Sequence, residues 1–73
     1  MIKNGIYKHY KNNLYEVLGI AQHTETGEQL VVYKSLYEAV DYPYGQLWIR
    51  PLEMFMEQIE YNGKRVQRFE FQR

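Results

Sequence analysis

The run Trp48-Ile49-Arg50-Pro51 constrains this chain most, because an alternating segment meets a proline there. Gln46-Leu47-Trp48-Ile49 alternates polar and apolar as a strand does. Pro51 then removes a ladder donor and fixes φ, so the strand ends at about that residue. Leu52, Phe55 and Met56 recur at three- and four-residue spacing, which predicts one short helical turn after Pro51, tucked under a sheet.

The other turn signals divide the remaining chain into strands. Gly5 to Lys11 reads as the first, with Ile6, Tyr7 and Tyr10 as its packing residues. Asn12-Asn13 suits a two-residue hairpin, since Asn tolerates positive φ. That turn sets Tyr10 against Tyr15 and His9 against Glu16 on the return strand, Leu14 to Gln22. His23 to Glu28 is the next connection, reversed at Gly27. Gln29 to Tyr37 is the third strand, and its run Leu30-Val31-Val32-Tyr33 is apolar on both faces, as in a central strand. Glu38 to Gly45 forms a long aromatic loop with Tyr42, Pro43 and Tyr44. Finally Asn62-Gly63 joins Glu57 to Tyr61 and Lys64 to Phe71, pairing Glu60 with Arg65, Ile59 with Val66 and Glu57 with Arg68. Val66 falls on the opposite face from Phe69 and Phe71, so a bulge near Gln67 is needed to bury all three.

Short strands with turns about every ten residues and one helical turn imply an all-β domain. The expected form is a small five-stranded antiparallel SH3-like barrel occupying residues 1–73 as a single domain. An open sheet on a longer helix from Pro51 to Ile59 is the alternative. A chain of 73 residues buries a small core, so its eight Tyr, three Phe and one Trp must carry the apolar area. Many of the phenols then belong at the core's edge, where their hydroxyls find partners.

There is no cysteine, which excludes disulfides and thiolate metal sites and is consistent with a reducing compartment. Nothing resembles a signal peptide or a membrane span, so a cytoplasmic location and no membrane partner are expected. The formal net charge of zero argues against a strong nonspecific polyanion binder. The charges are nevertheless segregated, with both ends of the chain basic and the middle acidic. The N- and C-terminal strands are expected to lie close enough for their basic residues to share one patch.

Several blocks together carry a resemblance. They are Gly5-Ile6-Tyr7-Lys8-His9-Tyr10-Lys11, Leu14-Tyr15-Glu16-Val17, His23-Thr24-Glu25-Thr26, Val32-Tyr33, Leu36-Tyr37, Leu47 to Phe55 and Arg68-Phe69-Glu70. They resemble the pattern of a bacterial family catalogued as domain of unknown function 1653. The resemblance spans nearly the whole chain and implies an SH3-like barrel with no established activity. Asn12 stands where that pattern has Gly, and it tolerates the same backbone region.

Candidates for chemistry are few. His9, His23 and Glu25 are potential metal ligands, but their spacing does not enforce convergence, and no metal or cofactor is assigned. Ser35, the only serine, lacks elbow glycines. Arg50 differs, because at a strand end beside Trp48 its guanidinium can stack on a ring and hold an anion through two parallel bonds. A structural pair with Glu53 or Glu25 is the competing role. Two function classes follow. The first is a binding module whose aromatic groove, lined by Tyr33, Tyr37, Tyr42, Tyr44 and Trp48 with Arg50 at one end, takes a peptide, a nucleotide or single-stranded nucleic acid. His9, Lys11, His23, Glu25 and Arg68 complete the expected ligand-binding set. The second is a small enzyme using His9, His23, Glu25 and Arg50. Binding is favoured, because no catalytic spacing is present.

Overall fold

The computed structural model describes residues 2–73. Its strands are β1 (Gly5–His9), β2 (Leu14–Gln22), β3 (Gln29–Ser35), β4 (Leu47–Pro51), β5 (Gln58–Tyr61), β6 (Lys64–Gln67) and β7 (Phe69–Phe71), with one short helix, α1 (Leu52–Phe55). Five strands form an antiparallel sheet in the order β4-β3-β2-β1-β7, and β5 and β6 form a separate hairpin. As expected, β4 ends at Pro51 and a single helical turn follows, so the longer helix to Ile59 does not form.

The two hairpin signals had different outcomes. Asn62 and Gly63 both take positive φ, 53° and 75°, as a type I′ turn requires. The expected register follows, with Tyr61 opposite Lys64, Glu60 opposite Arg65 and Ile59 opposite Val66. At the first hairpin the loop is Tyr10-Lys11-Asn12 and not Asn12-Asn13. Asn12 sits at φ 82° and donates its N–H to the His9 carbonyl (2.7 Å), while the His9 N–H donates to the Asn13 carbonyl (2.8 Å). Tyr7, not Tyr10, therefore faces Tyr15, and Glu16 bonds to Lys34 instead of His9. Burial decides between the registers. The two-residue turn would have set Tyr7 and His9 opposite Leu18 and Glu16, whereas the observed one keeps Tyr7, Tyr15 and Val17 on one face.

That face carries the core: Tyr7, Val17, Val31, Tyr33, Phe55 and Phe69 are all buried. An irregularity at Leu18, between Val17 and Gly19, lets Val17 pair with Tyr33 and Ile20 with Val31. This bulge switches β2 from odd to even residues on the inner face. A second adjustment occurs at Arg68, where the chain bends between β6 and β7. The break, one residue beyond the expected bulge at Gln67, buries Phe69 while leaving Phe71 partly exposed.

The expected five-stranded closure is not present, and no closed barrel is formed by the described residues. The last long strand is divided into β6 and β7, and β4 pairs on one side only. The outward side chains Leu47 and Ile49 on that free edge are exposed. The two ends of the chain do meet, because β1 pairs with β7 and the Ile6 N–H donates to the Arg73 carbonyl (2.9 Å). Among the described residues no helix is long and apolar enough to cross a membrane.

Candidate functional site

Phe69 organises the inner face. Phe55, carried beneath the sheet by the turn after Pro51, stacks on it with centroids 4.2 Å apart and planes 5° from parallel. Around the same ring stand four polar heads. The centroids of His9, Tyr33 and Tyr15 lie 4.9, 5.5 and 5.6 Å from it, and Arg50 Cζ lies 5.6 Å away. Strand alternation explains the gathering. His9 is the register partner of Phe69, Tyr33 is that of Trp48, and Arg50 follows Trp48 by two residues on the same face of β4.

Arg50 is half-buried and has no acidic partner. The two ion pairs among the described residues are Lys34 with Glu16 (3.5 Å) and Arg68 with Glu57 (2.7 Å). Neither Glu53 nor Glu25 fills the structural role. Arg50 instead donates its Nε–H to the Tyr33 hydroxyl (3.3 Å), leaving the four terminal guanidinium N–H groups without a protein acceptor among the described residues.

His9 adds a donor. Its Nδ1 accepts the Lys11 N–H (3.2 Å), which places the proton of the neutral ring on Nε2. Its pKa lies below the usual imidazole range, chiefly because burial disfavours the cation and then because Arg50, Arg68 and Lys11 repel it. The ring thus sits in a positive field.

A chain of phenols extends from this group. The Tyr15 and Tyr37 hydroxyls are 2.6 Å apart, and those of Tyr37 and Tyr42 are 2.7 Å apart. Three hydroxyls carry three protons and the internal bonds use two, so one O–H is left over whichever way the bonds run. All three pKa values are raised. That of Tyr42 is pushed up to about 12, first through its hydroxyl bond to Tyr37 and then by burial. Tyr42 also packs edge-on against Trp48 (5.0 Å), whose indole Nε1–H is buried without an acceptor.

The structure therefore assembles His9, Tyr33, Tyr37, Trp48 and Arg50 from the expected set. Arg68 and Lys11 contribute to the field around His9, although Arg68 is held by Glu57 and Lys11 Nζ lies 5.7 Å from the Tyr10 ring. His23 and Glu25 lie in the turn at the far end of β2 from Tyr15, roughly 25 Å along an extended strand. His23 Nδ1 there accepts the Glu25 and Thr26 N–H groups (3.1 and 3.4 Å), a turn-stabilising role. No group of three or more potential metal-ligating side chains occurs among the described residues. Tyr44, expected in the groove, is exposed. Tyr15 and Phe69 are the members that sequence reading missed. Their signal was the alternation of β2 and of Phe69-Glu70-Phe71, but only strand pairing brings those elements to Arg50.

The family model described as "Protein of unknown function (DUF1653)" matches residues 5–71. The chain is also similar to a solved structure, the crystal structure of a DUF1653 protein from Bordetella bronchiseptica. That similarity has a TM-score of 0.85 and 33% sequence identity, covering 96% of this chain and 86% of the other. No curated protein sequence matches.

Proposed function

Because the chain belongs to the DUF1653 family of proteins of unknown function, its role rests on the site, and we propose that it is a binding module for an anionic ligand. The binding face is the rim of the Phe69 cluster, where His9, Trp48 and Arg50 are half-buried, and Arg50 is its anchor. The observation that carries this reading is a half-buried guanidinium set among aromatic rings with no carboxylate partner among the described residues. An isolated buried cation is costly, and a bound anion supplies the missing compensation. Exposed or half-buried rings beside it, Trp48 and Tyr42, favour a ligand with a flat body, which makes a nucleotide or single-stranded nucleic acid a better match than a plain peptide.

The same proposal takes the fold as an incompletely closed SH3-like barrel in a cytoplasmic bacterial protein. In support, one helical turn separates β4 from β5, and β1 pairs on both sides. The absence of cysteine accords with a reducing compartment. Titrating a fluorescent oligothymidylate at low and moderate salt tests the function. Salt-sensitive binding that Arg50→Lys abolishes supports it, and no binding at low salt overturns it.

A further inference from the structure

The donors around Phe69 are too many for a ligand with only two acceptor oxygens. Tyr33 is 5% exposed and its hydroxyl oxygen accepts from Arg50 Nε, so its own proton must be given elsewhere. Among the described residues no acceptor for it is found. The terminal N–H groups of Arg50, the His9 Nε2–H and the leftover O–H of the phenol chain are in the same condition. Carboxylates are missing from the group: Glu57 and Glu16, the two acids in ion pairs, are bound elsewhere. A cluster rich in donors, poor in acceptors and positive in field is complementary to an anion that has several oxygens and more than one charge.

Among anions that a flat ligand carries, a carboxylate offers two oxygens and one charge. An internal phosphodiester also offers two free oxygens and one charge. A terminal phosphate offers three oxygens and about −1.5 to −2 charge at neutral pH. We propose that this site recognises the terminal phosphate of a nucleotide or of a nucleic-acid strand, a deepening that rests on the binding function proposed above. Arg50 holds two of the oxygens with its terminal N–H groups, and Tyr33 and His9 donate to the phosphate from the Phe69 side. The rings of Trp48 and Tyr42 lie next to this point, where the attached base stacks.

The test uses the full chain and two fluorescent oligothymidylates of equal length, one with a 5′-phosphate and one with a 5′-hydroxyl. Thymidine monophosphate, thymidine and inorganic phosphate serve as competitors. The phosphorylated strand is expected to bind at least about tenfold more tightly, and thymidine monophosphate to compete where thymidine does not. Better competition by inorganic phosphate than by thymidine monophosphate would overturn the assignment of the base. Tyr33→Phe keeps the buried ring and removes only the hydroxyl, so it is expected to keep the fold by circular dichroism while reducing the preference for phosphate severalfold. Equal binding of both strands with dependence on Arg50 would overturn the terminal-phosphate assignment and leave the binding function standing. Failure of every probe at low salt would overturn both. Binding of a phosphotyrosine peptide but of no oligonucleotide would overturn the nucleic-acid assignment.

Discussion

Arg50 makes one hydrogen bond, to a neutral hydroxyl at 3.3 Å, and one contact with an aromatic ring. Replacing it with Ala is therefore expected to cost about 0.5 to 2 kcal/mol, the range for a cation near an aromatic face. For a domain of this size that is a fall in Tm of roughly 4 to 8 °C per kcal/mol. Arg50→Lys retains charge but not the planar fork, so it should melt close to the native chain while losing anion binding. Thermal melts and titrations of both variants check this, and collapse of either variant would make Arg50 a structural residue. His9 has a pH signature of opposite origin. Its folded pKa is below the ordinary value because of burial and of Arg50, Arg68 and Lys11, with Tyr15, Tyr10 and Phe69 as its ring neighbours. As pH falls, the unfolded chain takes up the proton first, so stability falls below the ordinary histidine value and levels off below the lower folded value. Melts between about pH 7.5 and pH 5 should show a smaller loss for His9→Gln than for the native chain. Equal losses would mean that His9 is not held neutral by its surroundings.

Hairpins and loops divide into those held by local chemistry and those held by packing. The β5–β6 turn belongs to the first kind. Gly63 sits at φ 75° with open space where a Cβ would stand, so Gly63→Ala is strained by backbone conformation alone, by about 1 to 2 kcal/mol. A denaturant melt measures that cost, and a neutral result would contradict the type I′ turn. The loop between β3 and β4 belongs to the second kind. Val40 is fully exposed, while Ala39 and Tyr42 form a bridge and Tyr42 is tied through Tyr37 to Tyr15. Amide exchange is therefore expected to be fast at Val40 and Asp41 and slowest at Val31, with Tyr42→Phe speeding exchange through the loop. Unchanged exchange in that variant would show that the phenol chain does not hold the loop.

At the scale of the whole molecule, pairing of β1 with β7 joins the two ends of the chain and supports both stability and the site. Gly5 has φ 143°, and a Cβ there would come within 2.7 Å of the Arg73 carbonyl oxygen. Gly5→Ala should thus cost about 1 to 3 kcal/mol through strain and displace the C-terminal strand. Phe69→Ala removes the ring on which Phe55 stacks, and a loss of about 3 to 5 kcal/mol is expected for a buried Phe. Binding and stability should fail together in that variant, unlike in Arg50→Lys. Much of this architecture was legible in the sequence because it depends on local rules. Pro51 ends a strand, Asn62-Gly63 adopts positive φ, a continuous apolar run marks β3 and polar–apolar alternation marks β4. The basic ends were also expected to meet. What local rules do not contain is register between strands that are distant in the chain. The three-residue loop at Tyr10-Lys11-Asn12, the bulge at Leu18 and the bend at Arg68 all arise because one face must bury Tyr7, Val17, Tyr33 and Phe69 together. By itself the sequence determined the segments that become strands, the Asn62-Gly63 turn and the short helix, and it singled out Arg50. Tertiary structure alone decided that the sheet stays open, that His23 is held within its own turn and Glu25 makes no ion pair with Arg50, and that Phe69 and Tyr15 join Arg50, since burial of a shared face acts between elements and not within them.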